Sequence, residues 1–113
     1  VGAEDVDFIY RLNENGCLIE IDNTINIVHK ERLNTKDALR YIQRDAIGKT
    51  VFLVKHGFRG KTYNFKHIAK MIGYNSFHMC GALFTINKNR FLEKYIRLCA
   101  TWKGLILGLS IYR

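Results

Sequence analysis

The apolar and polar positions change period along the chain. Near the start, Phe8-Ile9-Tyr10-Arg11-Leu12 and Cys17-Leu18-Ile19-Glu20-Ile21 flank Asn13-Glu14-Asn15-Gly16. Two β-prone runs around an Asn-Gly pair predict a hairpin, and Thr24 to Val28 is a candidate third strand. Asn34 or Thr35 is placed to cap a helix running to about Ala46, with Asp37 in its first turn favouring the dipole. Val51-Phe52-Leu53-Val54 suits either a strand or a buried helix on pattern alone. Phe65, Ile68, Ala69 and Ile72 fall on one helix face, and Gly73 follows as a stop signal. Ser76 can cap a further helix through Ile86 or beyond. Ile96–Trp102 and Leu105–Tyr112 around Lys103-Gly104 read as a second hairpin.

Charge sharpens this picture. Residues 1–27 hold one base against six acids, whereas the rest of the chain holds seventeen bases against four acids. From Ala46 through Leu92 there is no acid, against eight lysines and arginines. An asymmetry of this kind points to a polyanionic partner for the second part of the chain. The division predicted is an acidic β segment over 1–34 and a basic helical segment over 35–113, forming one compact unit. Within the basic part, Lys55, Arg59, Lys61, Lys66 and Lys70, followed by Lys88, Arg90 and Lys94, are the candidate phosphate contacts.

A helix ending at Ile72, a glycine turn and a helix opening at Ser76 follow the order of a helix-turn-helix. On Phe65-Lys66-His67-Ile68-Ala69-Lys70-Met71-Ile72-Gly73-Tyr74-Asn75-Ser76 and the terminal hairpin, the chain resembles the winged helix-turn-helix DNA-binding superfamily over Gly48–Arg113. The resemblance implies an α+β fold: a winged helix-turn-helix preceded by a small N-terminal sheet and a helix. It makes Val51–His56 a helix and Thr62-Tyr63 a short strand. Ala69 and Gly73 become intolerant positions at a tight helix crossing, and Met79, Ala82, Leu83 and Ile86 become core. It turns Asn75, Ser76, Phe77, His78, Gly81 and Thr85 toward base edges, and puts Lys103 at the tip of the wing. The function implied is sequence-directed binding of double-stranded DNA, in transcriptional regulation, by a homodimer reading two half-sites.

Other motifs offer less. Gly57-Phe58-Arg59-Gly60 matches the GXXG loop of K-homology domains, which gives an alternative: a module for single-stranded RNA or DNA. The DNA-binding part of a nuclease or recombinase is a further alternative, but the basic segment holds no paired carboxylates for metal-assisted chemistry. No enzymatic activity is therefore expected. His29, His56, His67 and His78 have no ligand spacing with the cysteines, so no metal and no cofactor is expected. Cys17, Cys80 and Cys99 are expected as buried thiols. The opening residues are acidic and unlike a secretory leader, and no apolar run is long enough to span a bilayer. An intracellular protein without a membrane partner is the expectation.

Overall fold

Helix signals dominate the chain in three dimensions. The computed structural model describes residues 3–25 and 34–112. It holds four helices: α1 (Glu4–Glu14), α2 (Thr35–Phe58), α3 (Tyr63–Phe84) and α4 (Lys88–Tyr112), with no strand among the described residues. The expected α+β fold is therefore replaced by an all-helical one.

The first departure from the expected elements has a local cause. In α1, Glu4, Asp5 and Asp7 sit in the first turn and Arg11 in the last, as the helix dipole favours. The Asn-Gly pair ends this helix and closes no hairpin. Gly16 adopts φ +78°, the Cys17 N–H donates to the Leu12 carbonyl at 3.0 Å, and the Gly16 N–H donates to that of Asn13 at 3.1 Å. These are the paired bonds of a Schellman stop. Residues 17–25 then hold neither helix nor strand. The remainder of the candidate third strand, 26–28, lies outside the described residues.

Asn34 does cap α2: its side-chain oxygen accepts from the Asp37 N–H at 2.8 Å. The helix continues past Ala46, however, and absorbs Val51–His56. Gly73 does not stop α3, which runs unbroken through the supposed turn, so no helix-turn-helix forms. Thr62 and Tyr63 open α3 and form no strand. The terminal hairpin and its wing are likewise absent, because Lys103 and Gly104 lie inside α4.

The reason is the contact between α2 and α4. Ala100, Gly104 and Gly108 recur every fourth residue on α4 and are buried, facing Ala46, Thr50 and Val54 at the same spacing on α2. A Cβ built on Gly104 would lie 2.8 Å from the Ile47 carbonyl oxygen, and one on Gly108 2.9 Å from the Val54 Cβ. The partners advance together in number, so the two helices run in the same direction, with α3 returning antiparallel against both. The small residues let the backbones meet; the glycines are contact surface here, not turn. The buried hydroxyls of Thr50 and Thr101 donate to the Ala46 and Arg97 carbonyls, both at 2.8 Å, so neither is left unpaired inside this contact.

The other predicted crossing is missing. Ala69 is exposed on α3, and a Cβ at Gly73 would meet nothing within 4 Å. Ala69→Leu should accordingly change stability by less than about 0.5 kcal/mol, read as an unchanged denaturation midpoint. A large loss would mean that α3 packs through that face. Of the expected core residues, Ala82 is buried and Met79 half-buried, while Leu83 and Ile86 are exposed. All three cysteines are exposed free thiols, not buried ones.

Acidic α1 docks on the second half of α2. Asp7 accepts from the Lys55 ammonium at 2.7 and 2.8 Å and from the His56 Nε2 at 2.9 Å. His56 is fully buried, with the Tyr10 and Phe52 rings 4.2 and 4.6 Å from its own. The expected acidic segment is thus tied to the basic one by a long-range ion pair.

Candidate nucleic-acid interface

With α3 and α4 continuous, their basic residues regroup. Lys94, Arg97 and Thr101 share one face of α4, while His67, Lys70, Met71 and Tyr74 share one face of α3. Together with Lys49 of α2 they line a groove of about 500 Å³ that spans all three helices. Asp45 is the one carboxylate among the lining residues, and it holds Lys49 at 2.9 Å. Arg97 is steadied by Glu93 at 3.0 Å, one turn back on α4. The Lys94 ammonium sits 5.0 Å from the centre of the Tyr74 ring, a cation–π arrangement. Lys70 and His67, both exposed, make no ion pair or hydrogen bond among the described residues.

Beyond the groove, the basic face continues toward the α3–α4 turn. Arg90 donates to the His78 Nδ1 at 2.8 Å, and the His78 ring lies 4.1 Å from that of Tyr74. Because an arginine has only donors, this contact holds His78 as an acceptor at Nδ1. On the other side lies a second groove of about 600 Å³, between α1, α2 and α3. It shares Lys49, His67 and Met71, and carries Glu4 and Asp5 on its α1 wall. One side of the basic groove is therefore flanked by acid, which favours approach of a polyanion from the α3–α4 side.

The predicted phosphate contacts divide. Lys70 and Lys94 meet in the groove. Lys66 is exposed on α3, and Arg59 is exposed in the α2–α3 turn. Lys88 and Arg90 stand at the start of α4. Lys55 is consumed by Asp7, with 15% of its side chain exposed, and Lys61 pairs with Glu14 at 3.5 Å. Lys103 is exposed on the middle of α4, not at a wing tip. Lys49 and Arg97 escape a reading of the sequence because each has an acid four residues before it and looks like a locally neutralised pair.

The predicted base-reading residues do not form one reading surface. Asn75 is only 6% exposed. His78 is engaged by Arg90, and the Thr85 hydroxyl donates to the Gly81 carbonyl at 3.1 Å. Ser76 is half-buried, and Phe77 is the exposed aromatic of the set. All but Thr85, its C-cap, lie in the middle and second half of α3, not at the start of a recognition helix. Asn75 nevertheless lines the basic groove, and its carboxamide makes no hydrogen bond among the described residues.

The GXXG sequence is no open clamp. Gly57 is buried in α2, where an added Cβ would meet the Phe65 ring at 2.7 Å, and of the two glycines Gly60 alone, at φ +91°, belongs to the turn. No group of histidines, cysteines and carboxylates among the described residues is arranged to hold a metal. Among the described residues, no helix is long and apolar enough to cross a membrane. No family model, curated protein or solved structure matches this chain.

Proposed function

We propose that the chain binds nucleic acid, duplex DNA foremost, through the phosphate backbone in the α2–α3–α4 groove. The observation that carries this reading is the convergence of Lys49, Lys70, Lys94 and Arg97 from three helices on one groove. Backbone contact needs cations in fixed positions and releases the counterions condensed on the polyanion. Transcriptional control by base reading rests on the winged-helix resemblance, and the scatter of its six residues gives it no support. A single strand is the second reading, favoured by Asn75: its unpaired carboxamide beside the Tyr74 ring suits a base edge and a stacking face.

Four phosphate contacts give a slope of log affinity on log salt of roughly −3 to −4 for a duplex. Lys70→Gln and Lys94→Gln should each weaken binding to all sequences alike and lower that slope by about one. Lys103→Gln, outside the groove, should leave it unchanged. Fluorescence anisotropy with labelled duplex and single-stranded oligonucleotides reads all of this. A flat salt response, or equal losses from all three changes, contradicts the groove as the binding face. Tighter binding of the single strand, weakened by Asn75→Ala, selects the second reading.

A further inference from the structure

Three helices of this chain stop by the same device. At each stop the residue after the cap has positive φ, and the next N–H donates back to a carbonyl five residues earlier. Cys17 donates to Leu12 at 3.0 Å, Lys61 to His56 at 3.2 Å, and Asn87 to Ala82 at 3.0 Å. At the first two stops the left-handed residue is glycine, Gly16 and Gly60; at the third it is Ile86, with φ +53°. A β-branched side chain is a poor occupant of that region, because its Cβ crowds the backbone. Packing gives little reason for it, since Ile86 is 83% exposed and its neighbour Phe84 90%. Strain kept without a gain in packing points to a use outside the fold.

The surroundings say what that use is. Ile86 and Leu83 border a mostly apolar groove of about 390 Å³, with Ala82, Phe91 and Leu92 as its other apolar walls and Asn87 and Lys88 at its edge. Four N–H groups at the turn are paired within it. The N–H groups of Thr85, Ile86 and Asn87 donate to the Gly81, Leu83 and Ala82 carbonyls, and the Asn87 side chain accepts from the Arg90 N–H at 3.1 Å. Lys88 and Arg90 follow directly, and no acid lies between positions 46 and 92. A second copy of the chain is a poor occupant, since a tip-to-tip contact would oppose like charges with no compensating carboxylate in the turn.

We infer that the α3–α4 turn docks on an anionic lipid bilayer, with Phe84 and Ile86 entering the interface and Lys88 and Arg90 meeting the headgroups. The expectation of no membrane partner rests on the lack of a spanning segment, which does not bear on a surface-bound turn. Lipid docking at this turn is independent of nucleic-acid binding in the groove.

Flotation with vesicles of phosphatidylcholine alone, and with about 30% phosphatidylserine added, tests it on the full chain. The protein should float with the anionic vesicles and much less with the neutral ones. Phe84→Ser with Ile86→Ser should lower that affinity at least about tenfold, while Lys70→Gln leaves it in place. Ile86→Gly separates the two roles of the position: Tm should rise by about 4 °C as strain is relieved, yet vesicle affinity should fall. A Phe84→Trp, Trp102→Phe protein should show a blue-shifted emission with anionic vesicles. Equal flotation of the double serine variant, no preference for anionic lipid, or a dimer that the serines dissociate without changing flotation would each overturn the inference.

Discussion

Gly104→Leu should destabilise the chain by about 3 kcal/mol, the upper end of what overpacking costs. The cause is backbone proximity. Even a Cβ at this position meets the Ile47 carbonyl oxygen and the Thr50 Cβ at 2.8 Å. Neither is the free end of a flexible side chain, so α2 and α4 must separate to admit the new atoms. Separation would uncover Val54, Ala46 and Ala100, which are among the few buried apolar side chains. For a domain of this size the loss corresponds to a Tm drop of about 12 °C, measurable by circular dichroism. A Tm within a degree or two of the parent would mean that the two helices do not meet at Gly104.

Asp7→Asn should cost about 2 kcal/mol, less than a fully buried pair because solvent reaches part of the carboxylate. The substitution keeps the shape and removes the charge, leaving Lys55 with 15% of its side chain exposed and no counter-charge at Asp7. Burial pushes the Asp7 carboxyl upward, but hydrogen bonds from Lys55 and His56, with the charges of Lys55 and Arg11, outweigh it and hold the group below 3.8. A depressed carboxylate contributes stability that is complete above its unfolded value and is lost as pH falls through the folded one. The gap between parent and Asp7→Asn should therefore be constant from about pH 7 to pH 5 and shrink progressively as the pH falls below 3.8. Denaturant midpoints across that range read it. A gap that is absent at neutral pH, or that persists unchanged in acid, would show that the ion pair does not hold α1 to α2.

The signals that carry their own geometry are readable in the sequence. Asn34 with Asp37 names the start of α2, because a cap is satisfied within four residues. The apolar spacing Phe65, Ile68, Ala69, Ile72 names a helix, although its buried face uses only Ile68 fully. What misleads is punctuation. A glycine with positive φ serves a hairpin and a helix stop equally, so Asn15-Gly16 does not choose between them. Gly73 and Gly104 look like breaks, yet the first is an uncrowded residue of α3 and the second a contact made necessary by α2, more than fifty positions away in sequence. That pairing is tertiary information. The groove follows the same logic: Lys49 and Arg97 join Lys70 and Lys94 only once two helices are seen as unbroken. The acid-free window raises the expectation of a polyanion partner without naming the surface proposed to meet it.

The most direct test of that surface is amide chemical-shift mapping of the isotope-labelled chain against a short DNA duplex, followed from low to moderate salt. Binding through the groove should move the amides of Lys49, His67 to Asn75 and Lys94 to Thr101, with shifts that fade together as salt rises. Shifts concentrated on the 59–62 turn, on the far face of α4 around Lys103, or on no face at all would contradict it.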